Sequence, residues 1–340
     1  MKLAKKILSG RYIFNDEIID KKNLHYNLLQ DIIISVKKKN SRNLRNFCPA
    51  CNGESAEIIS ERDRYGLPIT FVVCLDCDFI FSKEYFSEDF MISYYKSTYN
   101  KFSKNKSPEK LFSERTNLQS PSFERYKFIK KILKNKFNDI KIVMEPGCND
   151  GCNLYQFLKN GKEVLGCDFD ENRISIGQKA GVNIFKGGVE KLLETNKKAD
   201  LIILPHVLAH VTNLNEFIGD IKKLLSPNGW VYIETPGFRG WWNKIKILRN
   251  YRKNFLNFIH FEFCYIFDLD LLKNFLLKFD FKLFYGDEYI RSIFKLSDIV
   301  ENKRINLRKK KKSNIEYLLN MEKKYLKFLF FKKKLLKLFK

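Results

Sequence analysis

The sequence lacks any stretch approaching the roughly 20 consecutive apolar residues that a membrane-spanning helix requires. Met1–Gly10 is positively charged but has no apolar block of the length found in secretory signal peptides. Histidine is scarce, with 4 residues in 340, so few imidazoles are candidates for a general base. We therefore expect a cytoplasmic protein, and keep peripheral contact with the inner membrane as an alternative.

Acidic residues are outnumbered, because 39 Asp and Glu face 63 Lys and Arg, which gives a formal charge of +24. Such a charge favours nucleic-acid or anionic-membrane partners. Lysine is abundant along the whole chain and greatly exceeds arginine, which indicates a general compositional bias and weakens that argument. The charge is still uneven, since residues 309–312 are all lysine and the end of the chain is lysine-rich.

Half of the 8 cysteines occur as two C-x-x-C pairs, at positions 48 and 51 and at positions 74 and 77. Two such pairs are typical of a closed, structural zinc site, because tetrahedral Zn²⁺ takes four thiolates from two tight turns. The predicted metal ligands are Cys48, Cys51, Cys74 and Cys77. Four unconnected buried thiols are the alternative, and disulfides are not expected in a reducing compartment.

An apolar run leads into a turn rich in glycine at residues 143–151, and a helical pattern follows. A strand that feeds a helix through such a turn directs backbone N–H groups towards a bound nucleotide. Gly147 and Gly151 permit positive φ, and Asn149 is one of the few other residues that enters that region readily. Glu145, at the end of the strand, favours a cationic ligand over an anionic one.

From Ile140 onwards, strand and helix patterns alternate with short connections. This alternation predicts an α/β fold with a doubly wound, mostly parallel sheet, in which ligands bind beyond the carboxyl ends of the strands. A helix over 123–137 is expected to cover the sheet. The predicted strands span 140–146, 163–169, 182–186, 200–206, 230–235 and 281–290.

A carboxylate ends the second predicted strand, at Asp168. In that position it can accept hydrogen bonds from both ribose hydroxyls of an adenosine. Capping of the next helix is the alternative role, for which Asp170 is better placed. The Lys186–Glu190 turn offers a second close approach, beside an adenine edge.

These motifs, together with residues 199–211 and the turn at 224–230, resemble class I S-adenosylmethionine-dependent methyltransferases over roughly residues 138–300. The resemblance implies a Rossmann-like sheet and S-adenosyl-L-methionine as cofactor. The family has glutamate before the second histidine where this chain has Ala209. The cofactor contacts that it implies are Glu145, Gly147, Cys148, Asn149, Gly151, Asp168, Glu190 and His206.

A cysteine module ahead of such a domain resembles bacterial enzymes that methylate sugars or surface polysaccharides, including sugar C-methyltransferases. The tyrosines at 94, 95 and 99, and the segment 257–263, support this resemblance. It implies an acceptor-side role for His206, His210 and His260, with a hydrogen-bonded structural imidazole as the alternative for each. Sugar, sugar-nucleotide or surface-glycan precursors are the implied acceptors.

Five regions follow from these patterns: a basic leader (1–45), a zinc module (46–80), an aromatic and helical linker (81–137), the methyltransferase domain (138–300) and a basic amphipathic tail (301–340). The tail has a three-four apolar spacing, so it packs on the protein itself, joins another subunit or contacts an anionic membrane. Two other functions stay open: a ribosomal or transfer RNA methyltransferase, and a non-catalytic nucleotide-binding scaffold.

Overall fold

The computed structural model describes residues 1–4, 42–95, 107–235, 237, 239, 258–288, 290–297, 313–324 and 327. Most of the predicted leader, the lysine run at 309–312 and most of the last fifteen residues lie outside the described residues. The chain divides into two compact units. The first comprises residues 1–87, 236–274 and 306–340, and the second comprises 88–235 and 275–305.

The second unit contains a seven-stranded sheet in the order β13-β14-β11-β10-β7-β8-β9. The five strands from β11 to β9 run parallel, while β14 is antiparallel to both of its neighbours. The predicted mostly parallel α/β sheet is therefore confirmed. The strands are β7 (Ile142–Pro146), β8 (Glu163–Asp168), β9 (Asn183–Lys186), β10 (Ala199–Pro205), β11 (Leu225–Glu234), β13 (Phe281–Gly286) and β14 (Arg291–Leu296).

The order of connection reverses at β7, because β8 lies on one side of it and β10 on the other. Ligands of open α/β sheets bind at the crevice that such a reversal creates beyond the strand ends. The glycine turn that follows β7 therefore lies at this crevice.

The helices of this unit begin at residues that suit helix starts. Ser120, Asp170 and Asn213 each accept hydrogen bonds from backbone N–H groups in the first turn of the following helix. The predicted capping role of Asp170 is thereby confirmed. The helices are α1 (Glu88–Tyr94), α2 (Pro108–Thr116), α3 (Pro121–Leu133), α4 (Cys152–Lys159), α5 (Glu171–Lys179), α6 (Glu190–Leu193) and α7 (Leu214–Leu224).

Helix α3 supplies one face of the core of this unit. Tyr126, Ile129 and Leu133 recur at helical spacing, are buried, and pack against strand residues such as Val143 and Leu201. The predicted helix 123–137 thus exists, although a 3₁₀ turn (Lys134–Phe137) replaces its last four residues. Lys134 has a positive φ of 52°, which ends the α-helix.

The prediction of a single strand over 281–290 is wrong for its last four residues. Strand β13 ends at Gly286, and a tight turn then leads into β14. Ile290 donates its backbone N–H to the Asp287 carbonyl and has a φ of 50°, which closes the turn. An apolar isoleucine at a turn position hid this hairpin from pattern analysis.

The first unit contains a five-stranded sheet in the order β1-β3-β4-β5-β12 and a two-stranded sheet of β2 and β6. Strand β12 pairs with β5, so a segment that follows β11 in sequence completes the sheet that carries the cysteine pairs. The strands are β1 (Lys2–Ala4), β2 (Arg42–Leu44), β3 (Ser55–Arg62), β4 (Pro68–Cys74), β5 (Ile80–Ser82), β6 (Glu84–Phe86) and β12 (Tyr265–Ile266). Helix α8 (Leu269–Leu277) follows β12.

Helix α9 (residues 314–324) begins against the cysteine-bearing part of the first unit. Asn314 is buried, and its amide nitrogen donates to the Asp78 carbonyl and to the Asp268 carboxylate. Leu318, one turn later, is fully buried. Residues 314–318 of the predicted basic tail (301–340) therefore pack on the protein itself. Among the described residues, no helix combines the length and apolar character needed to cross a bilayer.

Candidate functional site

The turn after β7 has the strained backbone that a close approach to a ligand requires. Gly147, Asn149 and Gly151 have φ values of 69°, 54° and 72°, so Asn149 adopts the left-handed conformation in place of a third glycine. The N–H of Asn149 donates to Asp168 at 2.7 Å, which ties the turn to the end of β8. The turn and the neighbouring strand end therefore form one hydrogen-bonded constellation.

Asp168 is only partly exposed, and both of its oxygens accept backbone N–H groups. Oδ2 accepts from Asn149 at 2.7 Å and Oδ1 accepts from Asp170 at 3.0 Å. Burial raises the pKa of this carboxyl, and the backbone donors oppose that increase. The backbone of Phe169 is a third donor, which still leaves part of the carboxylate's acceptor capacity for a ribose hydroxyl. Its predicted cofactor role stays a prediction.

Glu145 lies fully buried at the end of β7. Its Oε1 accepts from Asn153 at 2.7 Å, whereas Oε2 has no hydrogen-bond partner. Burial raises the pKa of Glu145 well above its ordinary value, and Asp150 and Asp168 add to that increase. A buried carboxyl with an unpartnered oxygen, in a locally negative environment, fits a cofactor that carries positive charge.

The remaining predicted contacts of this region differ in what their side chains do. The Cys148 side chain is buried, and it occupies the space that a Cβ at Gly166 would need. Its thiol also reaches the Asn149 carbonyl oxygen at 3.8 Å, so the side chain packs within the turn. Glu190 is exposed and accepts from the Gly188 N–H at 2.8 Å, which stabilises the second turn and the start of α6.

Arg115 was missed by sequence analysis. From the last turn of α2 it donates to Asp150 at 3.1 Å and to the Asn149 side chain at 3.4 Å. Asp150 is completely buried and also accepts from the backbone of Cys152. The guanidinium therefore helps to hold the turn in its strained conformation. One arginine in a polar helix carries no pattern that predicts this contact.

His206 follows β10 directly and has a φ of 60°. Its backbone N–H donates to the Glu234 carbonyl, and its Nε2 lies 3.1 Å from Glu234 Oε1. The imidazole is half exposed, with 50% of its side-chain surface accessible. With this positive φ, His206 lies at the same edge of the sheet as the glycine turn after β7.

Glu234, at the end of β11, is bound by three other side-chain donor groups. Arg125 Nε and Nη2 donate to it at 2.7 and 3.1 Å, and the Tyr232 hydroxyl donates at 2.7 Å. Burial raises the pKa of Glu234, but the hydrogen bonds of His206 and Arg125 outweigh burial and hold it below its ordinary value. Glu234 is therefore an ionised partner of His206.

The other two histidines of the predicted acceptor site have different surroundings. His210 Nδ1 lies 3.0 Å from the Tyr95 hydroxyl, so the loop after β10 carries a second polar pair. His260 belongs to the first unit and is buried. Its Nδ1 accepts the Glu262 N–H at 3.2 Å, and its ring contacts Tyr65 and Phe263. Their catalytic roles stay predictions.

The four predicted metal ligands come together in the first unit. The sulfur atoms of Cys48, Cys51, Cys74 and Cys77 all lie within 4.8 Å of one another. Two sulfur pairs, 48 with 77 and 51 with 74, are 3.6 Å apart. Tetrahedral zinc with bonds of about 2.3 Å separates its sulfurs by about 3.8 Å. Asn52 and Asp78, which follow the second cysteine of each pair, have φ values of 59° and 63° and close the two turns.

Comparison with known proteins adds independent evidence. A C-methyltransferase from Streptomyces niveus is 25% identical over 130 residues, 37% of this chain and 30% of that protein. A ubiquinone biosynthesis O-methyltransferase from Rickettsia bellii is 28% identical over 119 residues, which are 33% of this chain and 49% of that protein. A tRNA U34 carboxymethyltransferase from Campylobacter fetus is 30% identical over 139 residues, which are 38% of this chain and 48% of that protein. The chain spans about half or less of the length of these relatives.

Residues 99–285 match the model of a family described as a methyltransferase domain, and this match covers more than half of the chain. It includes the glycine turn, Asp168, and the loop that carries His206 and His210. The predicted fold and enzyme class are thereby confirmed. The chain belongs to this methyltransferase family, and residues 99–285 carry its S-adenosylmethionine-dependent methyltransferase domain.

Proposed function

We propose that the protein transfers a methyl group from S-adenosyl-L-methionine to a sugar, a sugar nucleotide or a surface-glycan precursor. The sulfonium of this cofactor supplies an electrophilic methyl carbon. The protein then has to hold the acceptor atom in line with that carbon, about 3 Å away. Residues 145–151 and Asp168 are the proposed cofactor side, and the loop after β10 is the proposed acceptor side.

One observation carries the proposal for the acceptor: a half-exposed imidazole stands at the cofactor edge of the sheet, paired with an ionised glutamate. Sugar hydroxyls, and C–H groups next to a sugar carbonyl, have to lose a proton before or during methylation. A histidine oriented by a carboxylate is suited to accept that proton. In this proposal His206 is the base and His210 orients the acceptor.

Two comparisons support a sugar acceptor. The similarity to a C-methyltransferase fits proton removal from carbon. The combination of a four-cysteine module with this domain resembles the enzymes that methylate sugars and surface polysaccharides. The structure of the methylated product identifies whether oxygen, carbon or nitrogen accepts the methyl group.

The test is methyl transfer from radiolabelled cofactor to defined acceptors by the full chain. We expect label in a sugar nucleotide, including one that carries a keto group, and none in bulk transfer RNA or in a polyprenylated phenol. The Asp168→Ala variant is the negative control, because it removes a proposed cofactor contact and retains the acceptor-side residues. Labelling of RNA or the phenol, with every sugar nucleotide unlabelled, would contradict a sugar acceptor.

We also propose that Cys48, Cys51, Cys74 and Cys77 hold a structural Zn²⁺. The clustering of their sulfur atoms within 4.8 Å supports this assignment. Four cysteine ligands close the coordination sphere, so no position is left for water or substrate. The ion would stabilise the turns of the first unit and take no part in methyl transfer. Metal analysis of the purified chain should give about one zinc per chain.

A transfer RNA acceptor is the second candidate, because the chain has a net charge of +24 and resembles a tRNA U34 carboxymethyltransferase. RNA binding through many lysines would weaken steeply as salt rises. Binding of a fluorescent transfer RNA, measured at two salt concentrations, tests this candidate. Weak binding at moderate salt would exclude it.

We further propose that the protein is cytoplasmic and contacts an anionic membrane surface through residues beyond helix α9. Asn314 and Leu318 are buried, so a truncation has to spare the helix that they anchor. Sedimentation with phosphatidylglycerol vesicles should therefore compare the full chain with one that ends at residue 324. Equal sedimentation of the two would argue against membrane contact.

A further inference from the structure

Glu234 is the centre of a hydrogen-bonded group of side chains in the second unit. Its Oε2 accepts from Arg125 Nε and from the Tyr232 hydroxyl, both at 2.7 Å. Its Oε1 accepts from Arg125 Nη2 and faces His206 Nε2, both at 3.1 Å. Each oxygen thus has two partners, so the carboxylate has a fixed orientation.

The position of Glu234 restricts the imidazole of His206. An ionised carboxylate only accepts hydrogen bonds, so the nitrogen that faces it has to carry the proton. That nitrogen is Nε2. In a neutral ring the other nitrogen, Nδ1, is then the proton acceptor, and the ring is half exposed. The backbone adds a second restraint, because the His206 N–H donates to the Glu234 carbonyl.

We propose that Glu234 is a positioning residue for methyl transfer: it fixes His206 in the Nε2–H form and leaves Nδ1 to take the acceptor's proton, while Arg125 holds Glu234 in place. This inference rests on the proposed function for the role of the proton. In the step itself, the acceptor's O–H or C–H electrons form the bond to the methyl carbon. The proton passes to Nδ1, and the carbon–sulfur bond breaks to leave a neutral thioether.

Arg125 is suited to this role because it is held on both sides. Its Nη1 donates to the Asn153 side-chain oxygen at 3.1 Å, and the Asn153 amide donates to Glu145 at 2.7 Å. Its own side chain is mostly buried, with 18% exposed. The same guanidinium therefore contacts the partner of Glu145 and the partner of His206. A lysine could not make both oriented contacts, because an ammonium lacks the planar fork.

Electrostatics also require the arginine. Glu145, Asp150, Asp168 and Glu234 are four acidic side chains near the ends of adjacent parallel strands. Arg125 faces Glu234, and its charge also acts on Glu145. Without this cation, Glu234 would keep hydrogen bonds only from a neutral hydroxyl and the imidazole, and the charge of Arg291 on the neighbouring strand would act on it without a hydrogen bond between the two side chains. The alternative role of the group is a purely structural ion pair at the end of β11.

The experiment observes the ring nitrogens of His206 directly, in the full chain labelled with ¹⁵N-histidine and loaded with S-adenosylhomocysteine. Nitrogen chemical shifts separate a protonated from an unprotonated ring nitrogen, and a His206→Asn variant assigns the signal among 4 histidines. Under mildly alkaline conditions we expect Nε2–H with a bare Nδ1 in the wild type. Glu234→Gln and Arg125→Lys should give a mixture of the two neutral forms.

Kinetics supply the second measurement. A well-oriented base contributes about 100-fold or more to the rate, so Glu234→Gln should lower kcat at least tenfold with little change in the Kd for S-adenosylhomocysteine. Lys127→Met, which removes an exposed cation from the same helix, is the matched control and should retain both values. Arg125→Lys should be intermediate in kcat.

The outcomes separate this inference from the proposed function. A wild-type chain with the His206 proton on Nδ1 overturns the inference, whatever the acceptor. Unchanged ring shifts in Glu234→Gln overturn it as well, and assign the group a structural role. If the wild-type chain shows the expected ring shifts but methylates no sugar, only the proposed acceptor class is contradicted. If Glu234→Gln fails to fold, Arg125→Lys decides by the same ring shifts.

Discussion

The two compact units use polar groups in opposite ways. In the first unit, four cysteine sulfurs converge within 4.8 Å beside a small sheet, where Phe79 packs on Tyr265 and Phe267. In the second unit, a continuous apolar core supports the sheet, and polar side chains gather at the strand ends. Under the functions proposed above, the sulfur cluster of the first unit maintains its fold, whereas the polar cluster of the second unit serves binding and catalysis.

The largest effect should follow from loss of one sulfur ligand. Structural zinc contributes about 10–16 kcal/mol to the folding of small zinc domains, so Cys74→Ser should unfold much of the first unit. Cys264→Ser is the control, since Cys264 is buried in the same unit but lies outside the sulfur cluster. Metal content and proteolysis of residues 42–87 measure the effect. Equal metal content in both variants would mean that the cysteines are merely buried thiols.

The second effect concerns binding instead of folding. Two charge-assisted hydrogen bonds to ribose hydroxyls are worth about 3–6 kcal/mol, so Asp168→Ala should weaken S-adenosylhomocysteine binding by about 100-fold or more. Its free energy of unfolding should fall by about 1–3 kcal/mol, because the backbone N–H groups of Asn149 and Asp170 lose their acceptor. Asp170→Ala is the control, because the Asp170 side chain caps helix α5 and its loss leaves Asp168 in place. Calorimetry that gives wild-type affinity for Asp168→Ala would remove this residue from the cofactor site.

Much of this contrast is predictable from sequence, because the decisive residues are close together in the chain. Two C-x-x-C pairs, and a strand followed by Gly147 and Gly151, each define a local geometry. The contacts that were missed join distant residues. Arg125 and Glu234 are 109 positions apart, and Tyr265 pairs with Phe81 across a gap that includes the whole parallel sheet. A single sequence carries no signal for such pairs.

One weak signal did exist for Arg125. Helix α3 contains three lysines and one arginine, in a chain where lysine prevails. An arginine in such a composition favours a bidentate contact, because lysine cannot replace its planar fork. This argument does not extend to Arg115, because a single nitrogen, Nη1, makes both of its contacts to the glycine turn.

The third effect is a pH dependence in the first unit. Burial raises the pKa of Asp63 from 3.8 to about 6, against hydrogen bonds from the backbone of Leu67, Tyr65 and Phe261. The folded chain then binds more protons than the unfolded chain between these values. Its free energy of unfolding should therefore fall as pH rises from about 4 to about 6, by roughly 3 kcal/mol from this group.

The Asp63→Asn variant isolates that contribution. Its amide oxygen can still accept from Tyr65 and Leu67, while the bond from Phe261 is lost at a cost of about 1 kcal/mol. The difference in unfolding free energy between wild type and variant should therefore change with pH across this window and become constant above it. Parallel urea-denaturation profiles at every pH would show that Asp63 is ionised throughout.

The smallest effect tests how closely the second unit depends on packing beneath its cofactor turn. A Cβ at Gly177 in helix α5 would collide with the Asp150 carbonyl and with Ile184, so Gly177→Ala should destabilise this unit by about 1–3 kcal/mol. A Cβ at Gly219 in helix α7 would meet nothing within 4 Å. Gly219→Ala should therefore stabilise the unit by about 0.5–1 kcal/mol, since alanine restricts the unfolded chain.

Because Asp150 belongs to the turn, Gly177→Ala should also weaken S-adenosylhomocysteine binding, whereas Gly219→Ala should leave it unchanged. Equal stability and affinity in the two variants would mean that the turn adjusts without cost, and that its strained conformation does not depend on the helix packed against it.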